Sequence, residues 1–150
     1  MDEVDGIRRA RESAGLTQAE LAEVSGVARP NIAAYESGAR MPSRAMVRRL
    51  LEAIKPRPSS ALAAHRDEVR RLARDFGMEN PRVFGSAARG DDSPGSDLDL
   101  LVRVPRGKGL LALMGFARAV EDVLGVRVDV VSERGLGEGH AGIRRDAVPV

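Results

Sequence analysis

The sequence predicts two domains: an all-α bundle over residues 1–55 and an α/β domain with helices packed on a mixed sheet over residues 61–150, joined by a linker at 56–60. Three observations carry this. Short, capped helical segments follow one another up to residue 55. The segment Lys55-Pro56-Arg57-Pro58-Ser59-Ser60 then sets two prolines around one residue, which breaks helix and favours an extended path ending in flexible serines. Beyond it, helical and β periodicities alternate in the order α-β-α-β-α-β.

In the first half, Ile7 to Ala14 reads as a helix stopped by Gly15. Thr17 caps a second helix, with Glu20 completing a capping box, and that helix runs to Gly26. Pro30 opens a third, where its missing N–H costs nothing, and Gly38 ends it. Ser43 caps a fourth with the stripe Met46, Val47, Leu50, Leu51 and Ile54. In the second half a helix is expected from Ala61 to Phe76, facing inward through Leu62, Val69, Leu72 and Phe76. Arg82-Val83-Phe84 is a short strand, and Gly85–Gly90 a tight turn into a short helix. Asp91–Gly95 is a polar loop, with Asp91 and Asp92 read as solvated charge, and Asp97–Val104 is a strand. Leu110–Leu124 is an amphipathic helix buried through Leu110, Leu113, Ala117, Val120 and Leu124. Val126–Val131 is a strand, and a short helix is expected near Ile143–Ala147.

Composition excludes several chemistries. No cysteine is present, so disulfides, thiolate zinc sites and cysteine nucleophiles are ruled out. Two histidines, His65 and His140, leave little for a histidine metal site, so any metal must sit on carboxylates, which favours a hard ion such as Mg²⁺. No apolar run is long enough to span a membrane, and the acidic opening MDEVDG is unlike a secretion signal, so a cytoplasmic protein is expected. The net charge of +2 does not by itself argue for nucleic acid. Lysine contributes only Lys55 and Lys108, and the arginines read as a solvated face. His65 and His140 read as surface residues, Tyr35 as core, and Met114 and Phe116 as core or partner surface.

The string TQAELAEVSGVARPNIAAYESG sets two short helices about a turn containing Gly26. Over residues 6–55 it resembles the Cro/phage-repressor type of helix-turn-helix, through Thr17-Gln18, Leu21-Ala22, Ser25-Gly26-Val27, Ile32, Tyr35-Glu36 and Gly38. By position, Ala28, Arg29, Asn31 and Ala34 would face bases in a major groove, while Gln18 and Arg40 would meet phosphates. Pro30 offers no polar base contact, so the affinity for operator DNA is expected to be modest and to depend on dimerisation or a partner.

The string VFGSAARGDDSPGSDLDLLV holds the second motif. Residues two apart on a strand point the same way, so Asp97 and Asp99 share one face while Leu98, Leu100 and Val102 fill the other. Two adjacent carboxylates repel, and a divalent cation relieves that repulsion. Asp129 lies opposite Val128 and Val130 on the later strand; if the strands are neighbours, three carboxylates converge and can hold two metal ions. Gly85 permits close approach of backbone to an anion, Ser86 offers a hydroxyl and an N–H, and Arg89 one turn on can pair with phosphate oxygens.

This half, over about residues 62–150, resembles the polymerase-β-like nucleotidyltransferase superfamily and within it the minimal nucleotidyltransferase (MNT-type) antitoxins. The resemblance implies that Asp97 and Asp99 ligate Mg²⁺, that Asp129 helps to activate an acceptor hydroxyl, and that Gly85 and Ser86 hold the triphosphate of ATP. It also implies a HEPN-type toxin as partner, with AMP passed from ATP to a toxin hydroxyl, in an oligomer alone or with the toxin. Two other readings stand beside it: a repressor whose second domain only senses nucleotide or grips the toxin, and an adenylyltransferase for a small molecule such as an aminoglycoside.

Overall fold

The computed structural model describes residues 3–150, with Met1 and Asp2 of the acidic opening outside the described residues. The chain divides into two compact units, Met1–Lys55 and Pro56–Val150.

The first unit is four helices: α1 (Glu3–Ser13), α2 (Gln18–Ser25), α3 (Arg29–Glu36) and α4 (Arg44–Ile54). The expected capping box closes the start of α2: the Thr17 hydroxyl accepts from the Glu20 N–H at 3.1 Å, and the Thr17 N–H donates to the Glu20 carboxylate at 2.7 Å. Ser43 caps α4 by accepting from the Met46 N–H. Ile7, Leu21, Ile32, Leu50, Val27 and Tyr35 form the core. Full burial of each of the larger side chains contributes about 1.5–3 kcal/mol. Leu51, expected in the buried stripe of α4, is exposed, because the stripe narrows to the Met46, Val47, Leu50 and Ile54 edge. A polar ring ties three helices together: Arg11 binds Glu36 through Nε (2.7 Å) and Nη2 (2.9 Å), Arg11 Nη1 donates to the Leu16 carbonyl, and Gln18 Nε2 donates to Glu36.

The second unit begins with α5 (Pro58–Ala64) and α6 (Arg66–Asp75), then β1 (Glu79–Phe84), α7 (Gly85–Arg89), β2 (Leu98–Arg103), α8 (Leu110–Leu124) and β3 (Val128–Ser132). Two single turns of 3₁₀ helix, Glu133–Gly135 and Glu138–His140, lead to α9 (Ala141–Asp146) and β4 (Val148–Pro149). The sheet order is β3-β2-β1-β4, with β2 and β3 parallel and β1 antiparallel to both β2 and β4, which makes it mixed as expected. Leu98, Leu100, Val102, Val83 and Val128 form a core with Val69, Ala73, Phe116, Val120 and Leu124 of the helices. Phe76 and Phe116 meet at 6.4 Å between ring centroids in a tilted pair.

The segment expected as a linker at 56–60 is instead part of the second unit. Pro58 is buried and opens α5 at its first turn, where proline is tolerated. Asp92, read as loop solvation, is buried and holds that turn: it accepts from the Ser59 N–H at 2.7 Å, the Ser59 hydroxyl at 2.8 Å and Arg57 Nη2 at 3.2 Å. Burial pushes the Asp92 carboxyl up, but the Ser59 bonds and the Arg57 charge outweigh it and hold the group below its ordinary value. The single helix expected over 61–76 is two helices, broken at His65 (φ −123°, ψ 24°). Leu110, expected to be buried, is 70% exposed, and Phe116 takes the central inward place on α8.

Candidate functional site

The two strands that carry the acidic residues are neighbours. Leu98, Asp99 and Leu100 of β2 lie opposite Val128, Asp129 and Val130 of β3 in parallel register. Asp99 and Asp129 are therefore direct partners on adjacent strands, about 4.8 Å apart along the hydrogen-bonding direction. Asp97 sits two residues before Asp99, at the entrance to β2. The opposite face of β2 is fully buried through Leu98, Leu100 and Val102, so the pleat sets Asp99 on the other side.

These positions set the electrostatics. Burial raises the Asp99 carboxyl above its ordinary range, the charges of Asp129 and Asp97 raise it further, and Arg89 opposes them. Asp129 is exposed and Asp99 half-buried. Asp97 Oδ1 accepts from Arg127 Nε at 2.9 Å. Arg127 was missed from the sequence, although period two places it on the same face as Asp129. With Asp97 turned to Arg127, no group of three or more His, Cys, Asp or Glu side chains among the described residues is gathered closely enough to hold a metal ion. The donor set still suits one: all three groups offer carboxylate oxygens, and the repulsion felt at Asp99 is what a hard divalent cation relieves.

Gly85 follows β1 and starts α7 at φ +70°, and a Cβ there would overlap Asp99 Oδ2. Phe84, its neighbour, is the β1 partner of Asp99. Ser86 follows in the first turn of α7, half-buried, and Arg89 ends that turn with Nε 3.3 Å from Asp91 Oδ2. Phe84, Gly85 and Arg89 line a cleft of about 340 Å³ together with Gly139, His140, Gly142, Ile143 and Asp146. His140 and Asp146 were not legible as cleft residues, since nothing local in their glycine-rich stretch shows which strand end they fold against.

In the first unit α3 begins at Arg29, with Ala28 as its N-cap and Pro30 in its first turn. Ala28 and Arg29 are exposed, while Asn31 and Ala34 are half-buried. Arg40 Nη1 reaches Asn31 Oδ1 at 3.4 Å, linking a residue placed at phosphate to one placed at a base. Gln18, expected at phosphate, gives its amide to Glu36 at 2.9 Å. Burial pushes the Glu36 carboxyl up, but the bonds from Arg11 and Gln18 prevail and hold it below its ordinary value.

Comparison with known proteins agrees with both halves. Residues 7–58 match the family described as helix-turn-helix, and residues 63–148 the family described as nucleotidyltransferase domain. Over 82 residues the chain is 38% identical to the protein adenylyltransferase MntA of Thermococcus cleftensis, spanning 55% of this chain and 80% of that protein. It is 41% identical over 56 residues to a chain of Methanocaldococcus jannaschii named as a protein adenylyltransferase, spanning 37% of this chain and 60% of that one. A solved structure described as a minimal nucleotidyltransferase is similar at a TM-score of 0.57 and 44% identity, covering 61% of this chain and 95% of that chain. With its carboxylates on adjacent parallel strands and its glycine turn against them, the chain belongs to the nucleotidyltransferase domain family, in its minimal form, behind a helix-turn-helix domain.

Proposed function

We propose that this transferase passes AMP from ATP to a side-chain hydroxyl of a partner protein, a HEPN-type toxin, and that its helix-turn-helix binds the operator of its own gene pair. The observation that carries the reading is the register of Asp99 against Asp129, with Gly85 packed on the Asp99 carboxylate. Asp97 and Asp99, with Asp129, would hold Mg²⁺; when bound, two such ions would neutralise phosphate charge and polarise the reacting phosphorus. Gly85 and Arg89 line the side of the cleft where the triphosphate would lie, with Ser86 between them in α7, and Arg89 would pair with its oxygens. The acceptor oxygen attacks the α-phosphorus, the bond from that phosphorus to the bridging oxygen breaks, and pyrophosphate leaves. Asp129, the exposed member of the set, takes the hydroxyl proton. The name of the Thermococcus cleftensis relative, a protein adenylyltransferase, supports a protein acceptor over a small molecule.

The test is transfer of label from α-labelled ATP to a co-expressed protein from the adjacent gene, with Asp99→Asn as control. Label on the partner with wild type and none with the variant is expected. ATP binding without transfer to any protein would leave the domain as a nucleotide sensor within a repressor.

A further inference from the structure

We infer that a groove at the far end of β2 and β3 docks an acidic, leucine-bearing segment of the protein acceptor, an inference that rests on the protein-acceptor reading above. The groove, of about 290 Å³, is lined by the apolar Val104, Pro105, Leu110 and Leu113 and by the cations Arg106, Lys108 and Arg134. No carboxylate lines it, and none of the three cations makes an ion pair among the described residues. Elsewhere on this unit Arg89, Arg103, Arg118 and Arg127 all have acidic partners. Beside the groove, the start of α8 holds Leu110, Leu111 and Met114 at 70%, 84% and 58% exposure. An apolar patch rimmed by unpaired cations complements a helix or strand that carries aliphatic anchors flanked by Asp or Glu. Single-stranded nucleic acid fits less well: stacking needs exposed rings, and Phe76, Phe84 and Phe116 are half-buried or buried.

The position suits a protein acceptor. Because β2 and β3 are parallel, both start at the aspartates and both end at the groove, Arg103 preceding its loop and Ser132 lining it. Four steps along the strand take the chain from Asp99 to Arg103, roughly 13 Å. A segment seated in the groove therefore leaves its neighbouring chain within reach of the carboxylates.

The test titrates the full chain, without nucleotide or metal, into a fluorescent helical peptide bearing leucines along one face and glutamates beside them, read by anisotropy. Saturable binding is expected, weakened about tenfold by the pair Arg106→Glu and Lys108→Glu and about fivefold by Leu111→Ser, and weakened by salt. These positions are exposed, and circular dichroism checks that each variant folds. The peptide with lysine for glutamate should not bind. Absence of binding, equal binding of both peptides, or unchanged binding in the variants overturns the proposal. So does preferred binding of a single-stranded RNA of equal charge, or a self-association seen by light scattering that Leu111→Ser abolishes. Since the assay omits ATP, its failure is distinct from a failure of AMP transfer, which the labelling experiment reads alone.

Discussion

Gly85 lies against the Asp99 carboxylate with no room for a side chain between them, and its backbone sits at φ +70°. Both facts demand glycine, and either alone would favour it. Gly85→Ala should therefore lower stability by about 1–3 kcal/mol through backbone strain. It should also lower nucleotide transfer by about 100-fold by displacing Asp99. Denaturant unfolding and single-turnover transfer check the two effects. A variant that keeps wild-type transfer would show that Asp99 has freedom the packing does not suggest.

Asp99 itself carries strain of an electrostatic kind. Its folded-state carboxyl is raised by burial, Asp129 and Asp97, so the folded chain binds that proton more tightly than the unfolded one. Stability from this group thus rises as pH falls toward the unfolded value of about 4, and at neutral pH the ionised group opposes folding. Asp99→Asn should raise the metal-free thermal midpoint at neutral pH by about 2–4 °C. Mg²⁺ with ATP should raise the wild-type midpoint and leave that of the variant unmoved. A variant that melts lower without metal and still responds to Mg²⁺ and ATP would remove Asp99 from the site.

Asp92 works with the opposite sign. Its folded carboxyl is lowered, so its contribution is fully present above the unfolded value of about 4 and is lost as pH falls through the folded value. Asp92→Ala leaves the Ser59 N–H and hydroxyl without their acceptor and should cost about 3 kcal/mol at neutral pH. For the same reason a fragment starting at Pro56 should fold, whereas one starting at Ser60, which lacks Arg57, Pro58 and Ser59, should be less stable by a similar amount. Circular dichroism melts of the two fragments decide this. Equal midpoints would mean that α5 docks without Asp92.

That contact also marks where sequence reading stopped. Helical and β periods are local, and they announced the helices of the first unit and the mixed sheet. The pairing of Ser59 with Asp92 joins residues 33 apart and leaves no periodic trace, so two prolines and two serines read as a linker and a buried aspartate read as solvated. Leu110 misled for a related reason: it falls on the helical stripe of Val120 and Leu124, but α8 meets the core only from Ala112 and Leu113 onward. Arg127 and the cleft residues His140 and Asp146 depend on how strand ends and the C-terminal turns meet, which is a matter of topology.

The last prediction separates Arg29 from Arg40 on DNA. Arg29 stands exposed at the start of α3, clear of the core beneath that helix, and with α3 in a major groove it would fork onto a guanine edge. Arg40 lies beyond the end of α3 and already leans on Asn31 at 3.4 Å, so it can meet a phosphate while steadying the Asn31 amide. Arg29→Ala should cost about 1–3 kcal/mol on the operator and little on scrambled DNA. Arg40→Ala should weaken both duplexes and reduce the log–log salt slope by about one. Loss of its bond to Asn31 should add a smaller operator-specific penalty, one that disappears in the Asn31→Ala background because the two side chains then no longer couple. Fluorescence anisotropy at several salt concentrations on both duplexes reads all of these. Equal losses on both duplexes for Arg29→Ala would reduce Arg29 to a phosphate contact. An operator-specific penalty for Arg40→Ala that persists without the Asn31 side chain would mean that Arg40 reads the sequence itself.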